Sequence, residues 1–365
     1  MRLSLPAFVT IANEERPQGS PQQDKKMKFT CKIKHLDAYL LILHNGVFDQ
    51  KSIQHFAPPK GIKITPNPEK TGNFKLEVAP NTIVEKPLQL VNVIDTPENL
   101  DVVHAFEVVV GEGSTLSLIH CDESMNKVKN TIQTHVSIEL KSHSSLQYYN
   151  LQNINNHSTL NNQTEVKQHN HSRLISHTYT LNGEFLNKQQ HIDFTEEFAN
   201  ADVQGLYLLD KNQDYFHRIR LNHNQPNGLS NQLFKGVLDD SAKAHFEGHV
   251  FVAKHAQKTE ALQNNKNLLL TDKANVQTHP FLEIYADDVK CSHGATIGQL
   301  DEDALFYLRT RGIPEKQAKT LLMYAFANDV VRNVYLDPLR EYLENLIKRR
   351  LNGENITCED CVFFN

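Results

Sequence analysis

Residues 106–120 read FEVVVGEGSTLSLIH, in which two alternating apolar stretches flank a short polar turn. Alternation with a period of two places the apolar side chains on one face of a strand, and the Gly and Ser of the turn suit a short β connection. No helix-length apolar period interrupts residues 76–290, which argues against a sheet built from βαβ units. The same arrangement recurs at residues 136–150, 178–194, 234–252 and 267–285.

These repeats fit two architectures equally well. A β-sandwich buries one face of each strand, and so does a β-solenoid, in which each coil stacks on the next. The solenoid also accounts for a hydrophobic content of only 39% and a mean hydropathy of −0.49, because each coil fills a narrow interior. The spacing between the repeats is irregular, so the pattern alone leaves sandwich and solenoid open.

Composition argues against several classes of protein. The 365 residues include 38 Lys and Arg against 43 Asp and Glu, a net charge of −5, which gives no reason to expect binding to nucleic acid or to an anionic membrane. Five Cys in a chain of this length cannot form a disulfide framework. The N-terminal stretch MRLSLPAFVTIANEE contains Pro6 and lacks an A-x-A cleavage pattern, so we do not expect a signal peptide. We expect a soluble protein of the cytoplasm.

The sequence divides into four segments. A hairpin is predicted at residues 39–49 (YLLILHNGVFD), where Asn45 and Gly46 form the turn. The chemistry changes after residue 298, where helical patterns replace the strand repeats. We predict a flexible lead-in and hairpin region at residues 1–75, a β core at 76–298, a helical domain at 299–353 and a tail at 354–365.

Three helices are predicted in the C-terminal segment. Asp301 suits the N-cap of the first, Asp337 and Pro338 suit the start of the third, and Gly353 suits its end. The apolar stripes of the second and third helices exceed what three short helices bury among themselves. Internal packing and a docked partner both remain open. The candidate partner contacts are Leu321, Leu322, Phe326, Leu339 and Leu343.

Histidine is abundant, with 19 residues, and two pairs have a spacing that would let them share a metal ion. In a strand, His169 and His171 would point to the same side, as would His245 and His249. A zinc site needs three or four ligands at tighter spacing, so exposed polar residues are the simpler interpretation of both pairs.

Several common motifs do not occur. The chain contains no G-x-x-x-x-G-K-[ST] loop, no G-x-S-x-G elbow and no H-E-x-x-H helix. Cys358 and Cys361 form a single C-E-D-C near the end of the chain. Because no second pair accompanies it, we interpret it as an incidental pair on the tail.

Cys291 and His293 lie two residues apart at the end of the predicted β core, so both side chains face one way. A thiolate beside an imidazole suits a soft transition metal such as iron in a cluster, and it also suits a Cys–His nucleophile pair. A buried Cys with a hydrogen-bonded His that closes the β core is the third interpretation. Spacing alone does not choose among them.

Three blocks of sequence resemble a known family. They lie at residues 221–252, 256–313 and 318–327. Over more than a hundred residues in order, these blocks resemble the SufB/SufD family of iron–sulfur cluster assembly proteins. The block CSHGAT at residues 291–296 resembles the SufD branch of that family more than the SufB branch.

The resemblance implies a fold and a set of partners. It implies a right-handed parallel β-helix core, which is a β-solenoid, with a C-terminal helical domain. It implies that the late β-helix pairs with SufB and that the helices dock SufC, an ABC-type ATPase. It also implies a scaffold without enzymatic activity that binds no nucleotide, because ATP is bound by SufC. The resemblance allows a homodimer when SufB is absent.

The resemblance also implies a site. A transient iron–sulfur cluster would be built at the interface with SufB, with His293 as a ligand and Cys291 as a secondary candidate. One departure concerns the N-terminus: family members usually have a longer helical region that contains Trp, whereas this chain reaches its hairpin within 50 residues and has no Trp. Cys358 and Cys361 receive no role from the family.

Two other functions stay open. One is a secreted β-helix enzyme that acts on polysaccharide, which would require a groove lined by carboxylates and basic residues. The other is a purely structural adaptor that holds SufC and contributes no ligand to a cluster.

Overall fold

Two long sheets of mainly parallel strands form the body of the molecule. The computed structural model describes residues 33–48, 58–70 and 72–354, and over these residues the chain is a β-solenoid of about eight turns followed by three helices. The solenoid is therefore confirmed, and the sandwich alternative is wrong. The predicted flexible lead-in, the N-terminal MRLSLPAFVTIANEE, Cys358 and Cys361 lie outside the described residues.

The strands alternate between the two sheets from β4 onward. The first sheet contains β1 (Tyr39–His44), β2 (Val47–Phe48), β5 (Leu88–Ile94), β7 (Thr115–Ser124), β9 (Ser145–Asn153), β11 (Arg173–Asn182), β13 (Asn200–Leu209), β15 (Leu229–Leu238), β17 (Thr259–Leu269) and β19 (Val289–Gly298). The second contains β3 (Ile62–Pro66), β4 (Phe74–Val78), β6 (Asp101–Val110), β8 (Thr131–Leu140), β10 (Thr159–Gln168), β12 (Phe185–Phe194), β14 (Asp214–His223), β16 (Lys243–Val252) and β18 (Asn275–Ile284). Their spatial orders are β19-β17-β15-β13-β11-β9-β7-β5-β1-β2 and β18-β16-β14-β12-β10-β8-β6-β4-β3.

Strands that are hydrogen-bonded to each other lie one coil apart along the chain. From β4 to β19, each strand pairs in parallel with the strand two elements further along. The number of residues per coil varies: paired residues are 30 apart between Asp101 and Thr131, 26 apart between Thr159 and Phe185, and 32 apart between Lys243 and Asn275. Because the turns absorb this variation, the sequence shows no fixed period.

The two sheets differ in what covers them. In β10, of the second sheet, buried residues alternate with partly or fully exposed ones, as expected when one face meets the interior and the other meets water. In β11, of the first sheet, nine of ten residues are buried. The outer face of the first sheet is therefore covered, and the helices cover it.

The predicted hairpin is confirmed. Asn45 and Gly46 have φ angles of 52° and 76°, which is the left-handed conformation that a two-residue hairpin turn between β1 and β2 requires. β1 also pairs in parallel with β5 along its whole length. The stacked strands thus include residues that lie before position 76, where the sequence division placed the start of the β core.

Three helices follow β19 in the described part of the chain. They are α1 (Glu302–Thr310), α2 (Glu315–Val331) and α3 (Asp337–Leu351). The cap of α1 is confirmed, because the Asp301 carboxylate accepts a hydrogen bond from the Ala304 N–H at 3.0 Å. The predicted cap of α3 is wrong by one residue: Leu336 is the N-cap, and Asp337 lies in the first turn. Gly353, with a φ of 82°, follows the end of α3 as predicted.

Buried cations attach the helices to the solenoid. Lys235 of β15 is 3% exposed and donates to the Asp329 carboxylate at 2.5 Å and to the Phe326 carbonyl at 2.9 Å. Arg350 of α3 donates to the Leu181 carbonyl at 3.1 Å and to the Asp210 carboxylate at 2.7 Å. These contacts join α2 and α3 to three different turns, so the helices form a layer of the solenoid. Among the described residues, no helix is long and apolar enough to cross a membrane.

The Arg350 contacts lead to a stability prediction. We expect Arg350→Ala to lower the free energy of unfolding by about 3 kcal/mol, because Asp210 and the Leu181 carbonyl lose their partner at a mostly buried site. Urea denaturation followed by circular dichroism measures this change. The control is Lys319→Ala, which removes an exposed ion pair to Glu315 and should cost less than about 0.5 kcal/mol. Equal small losses in both variants would contradict the prediction.

Candidate functional site

The solenoid ends at an open turn. β19 pairs with β17 and β18 pairs with β16, and each is the last strand of its sheet. One edge of each strand therefore presents backbone N–H and C=O groups that no other described strand pairs. Such an edge is a natural place for another chain to add strands.

Cys291 and His293 lie on β19 at this open end. Their partners on β17 are Ala261 and Gln263, which are fully buried in the interior. β19 covers the inward positions of β17. Cys291 is half-buried and His293 is exposed, because none of the residues that the structure describes stacks on β19 in turn. The predicted shared orientation of these two residues in the last strand is confirmed.

The surroundings of the two side chains differ. Cys291 packs against a small apolar cluster that includes Val250, Ala261 and Ala286, and burial raises the pKa of its thiol. A raised pKa makes the thiolate scarcer, which weakens the interpretation as a Cys–His nucleophile pair. His293 makes no side-chain hydrogen bond to any described residue, so its imidazole is available to a ligand. The interpretation as a closed, hydrogen-bonded pair is therefore wrong for His293.

Apolar side chains surround the open end. Large hydrophobic residues of the last two coils remain exposed, a grouping that marks an interaction surface when it coincides with unpaired strand edges. They are Leu262 at 47%, Phe281 at 55%, Ile284 at 37%, Tyr285 at 57% and Ile297 at 47%.

The structure does not bring His169 and His171 together as ligands. His169 follows the end of β10 and contacts the Glu139 and Glu196 carboxylates at 2.9 and 3.0 Å. His171 has a φ of 53° and stacks between other rings of the corner turns. Both residues therefore lie in a turn, and their placement in a strand is wrong. A positive φ at His171 requires a turn conformation, which strand alternation cannot anticipate.

His245 and His249 lie on one side of β16, as predicted. Each has its own carboxylate: His245 Nε2 lies 2.9 Å from Glu247, and His249 Nε2 lies 3.0 Å from Glu283. The simpler interpretation of this pair as surface polar residues is consistent with these contacts.

The predicted partner contacts on the helices divide into three groups. Leu321 is 48% exposed, and Leu322 and Phe326 are half-buried. Leu339 and Leu343 are fully buried in the layer between α3 and the first sheet. The prediction that these two contact a partner is wrong, because their apolar surface is already covered by the solenoid.

Polar side chains fill much of the interior, a feature that sequence reasoning missed. His217 and His223 are fully buried, with hydrogen-bond partners in Tyr215 at 2.9 Å and Ser230 at 2.9 Å. Burial lowers the pKa of each of these imidazoles to about 3. Both residues are therefore neutral in the folded protein near neutral pH.

The fold and its open end define a class of protein. A family model described as SUF system FeS cluster assembly, SufBD core domain, matches residues 93–326, more than half of the chain. The chain belongs to this SufBD family.

Several curated relatives carry SufD or SufBD names. The iron–sulfur cluster assembly protein SufD of Escherichia coli (strain K12) is 32% identical over 273 residues, which are 73% of this chain and 64% of that protein. A SufBD family protein of Synechocystis is 43% identical over 157 residues, 42% of this chain and 34% of its own length. SufD of Bacillus subtilis (strain 168) is 35% identical over 119 residues, 33% of this chain and 27% of its own length. The match spans less than two thirds of each relative.

The interior histidines predict acid sensitivity. Below about pH 6.5 the unfolded state binds a proton at each histidine, whereas folded His217 and His223 stay neutral down to about pH 3. The free energy of unfolding therefore falls as the pH drops from 6.5 toward 3, by up to about 1.4 kcal/mol per pH unit for each residue. Urea midpoints measured between pH 7.5 and 5 test this.

A variant pair assigns the effect to the interior. His223→Gln should reduce the pH dependence of the urea midpoint, and His157→Gln, at an exposed position, should leave it as in the wild type. The same pH dependence in wild type and His223→Gln would contradict the prediction.

Proposed function

We propose that this chain is a SufD-type scaffold subunit for iron–sulfur cluster assembly, which pairs with a SufB subunit at its open end and docks the ATPase SufC on its helices. The observation that carries the proposal is the placement of His293, exposed and without a side-chain hydrogen bond to any described residue, on β19, the end strand of the first sheet. Membership of the SufBD family supplies the chemical context. The cluster is cargo, assembled at the interface and then released.

The open end suits pairing with a chain of the same architecture. β18 and β19 each offer one edge that no other described strand pairs, and the exposed Phe281, Tyr285 and Ile297 add apolar surface. A SufB solenoid that continued both sheets would cover this surface and satisfy the edge groups. The same edges would allow a homodimer when SufB is absent.

His293 would supply one ligand of a shared site. An exposed imidazole at the end of the interior binds iron through a ring nitrogen, and the thiolates that a cluster also requires would come from SufB. Cys291 is a secondary candidate, because its half-buried thiol has a raised pKa and packs against apolar residues. Cys121, the other described cysteine, is buried.

His293→Ala tests this assignment. We expect the variant to copurify with SufB and SufC but to accumulate at least about tenfold less iron and sulfide, because the cluster loses a ligand. The substitution removes an exposed side chain, so the free energy of unfolding should change by less than about 0.5 kcal/mol. Iron and sulfide analysis of the reconstituted complex is the measurement.

His279→Ala provides a matched control. His279 is exposed on β18, the other edge strand, and its removal should leave the cluster yield unchanged. Wild-type yield in His293→Ala, with all three subunits present, would instead support a structural adaptor that contributes no ligand. Failure to copurify with SufB would contradict the pairing itself.

We propose that SufC docks on the exposed side of α1 and α2. Phe306 and Tyr307 on α1 are 68% and 56% exposed, and Leu321 on α2 is 48% exposed. The first sheet buries the other apolar side of α2, so these residues are what remains for a partner. In this arrangement SufC hydrolyses ATP and the present chain transmits its movement to the open end, with no enzymatic activity of its own.

We place the protein in the cytoplasm, where free thiols such as Cys291 stay reduced.

The double variant Phe306→Gln, Leu321→Gln tests the docking surface. We expect it to weaken SufC binding at least about tenfold, because buried apolar anchors dominate such interfaces. Titration calorimetry or quantitative copurification measures the change, and retained pairing with SufB shows that the variant is folded. Tyr335→Gln, an aromatic residue 57% exposed on the turn between α2 and α3, should bind SufC normally. Unchanged affinity in the double variant would contradict this site.

A further inference from the structure

A second group of metal-ligating side chains lies inside the solenoid. His104 on β6 and His120 and Asp122 on β7 are fully buried. One ligand atom from each residue can be chosen so that all three lie within 4.8 Å of one another, and no other His, Cys, Asp or Glu group among the described residues meets this criterion. β6 and β7 belong to opposite sheets, so the group spans the interior from one wall to the other.

We propose that this group binds one divalent transition-metal ion of the Zn²⁺ or Fe²⁺ class through two imidazole nitrogens and one carboxylate. The site is distinct from the open end, and it does not rest on the function proposed above. Two imidazoles with one carboxylate form a donor set that suits these ions, and a fourth position would remain for water.

The distances fit an ion with modest adjustment. Ligands at about 2.1 Å from a tetrahedral metal lie about 3.4 Å from one another. His120 Nε2 lies 3.6 Å from Asp122 Oδ2, and His104 Nε2 lies 3.9 Å from Asp122 Oδ1. Each imidazole nitrogen thus lies within a few tenths of an ångström of this separation from one oxygen of the same carboxylate, and all three ligand atoms lie within 4.8 Å of one another.

Two of the atoms lack a hydrogen-bond partner within the protein. No described residue provides one for His120 Nε2 or for Asp122 Oδ2, although each of these atoms is buried. They face each other at a separation too long for a hydrogen bond. Buried polar atoms are rarely left unpaired, and an ion between the two would satisfy both.

The surrounding residues hold the ligands in place. Asn92 accepts the Gly46 N–H at 2.9 Å, which directs its amide nitrogen to Asp122 Oδ1 at 3.0 Å. His120 Nδ1 lies 3.0 Å from the Tyr148 hydroxyl. With its proton on Nδ1, His120 donates to Tyr148 and leaves Nε2 free to coordinate. Such outer contacts orient the ligands of protein metal sites.

The protonation of the group also suits a metal. Burial lowers the pKa of His104, and it lowers that of His120 to about 4, so both imidazoles are neutral, as ligation requires. Lys188 is buried in the same interior, and its Nζ donates to Asn150 at 2.9 Å.

A hydrogen-bonded network without metal is the competing arrangement. In that state His120 takes its other tautomer: Nδ1 accepts from the Asn150 amide at 3.2 Å, and the proton on Nε2 points toward Asp122. This tautomer cannot bind a metal through Nε2, so metal binding and the network exclude each other.

Metal analysis of the full-length chain separates the two arrangements. The protein is purified without chelator and analysed by mass spectrometry for bound metals. It is then unfolded with chelator and refolded with Co²⁺. We expect close to one tightly held metal ion per chain and the visible absorption of four-coordinate Co²⁺, displaced by Zn²⁺. In Asp122→Asn and His120→Gln the affinity should fall by at least about 100-fold, because each removes or neutralises a direct ligand.

Two controls remove histidines elsewhere. His217→Gln alters a buried histidine of the same interior, and His245→Gln alters a histidine beside a surface carboxylate. Both should retain the metal. Wild-type protein that holds no metal and gives no Co²⁺ absorption would overturn the proposal, and so would Asp122→Asn that retains the ion. If the variants fail to fold, the Co²⁺ spectrum of the wild-type protein and the displacement of Co²⁺ by Zn²⁺ still test whether the site binds a metal.

Discussion

The interior of each solenoid turn is sealed only by the turns on either side of it. Parallel pairing between strands one coil apart joins the backbones, and inward side chains stack on their counterparts in the next coil. A narrow interior needs few apolar residues, which explains a folded chain with only 39% hydrophobic content. The same constraint leaves the last coil unsealed, because no strand within the described residues stacks on β18 and β19. The exposure of His293 follows from its place in the stack.

The helices cover the outer face of the first sheet. Strands of the first sheet such as β11 are buried on both faces, and α2 and α3 cover the outer face. Lys235 and Arg350 fix this layer by reaching backbone carbonyls and carboxylates across it. The helical segment is therefore part of the wall of the solenoid, and movement of α2 would be felt directly by the strands beneath it.

Local sequence signals predicted local structure well. The Asn45–Gly46 hairpin, the Asp301 cap and the shared face of Cys291 and His293 follow from turn chemistry, capping and strand alternation, which act over a few residues. The choice between sandwich and solenoid required a resemblance, because coils of 26 to 32 residues show no fixed period. The grouping of His104 with His120 and Asp122 could not be predicted from the sequence, since it depends on which strands face each other. Leu339 was misjudged because an apolar stripe does not reveal which surface covers it.

Because the strands stack at a regular spacing, the distance between two coils can be counted in strand-to-strand steps. Six strand-to-strand steps separate β7, which carries His120 and Asp122, from β19, which carries His293. At about 4.8 Å per step, the two places lie about 29 Å apart. No side chain bridges that distance, so a ligand at one place cannot be shared with the other. Insertions in the corner turns would leave the separation unchanged, whereas gain or loss of a whole coil would alter it by a single fixed increment.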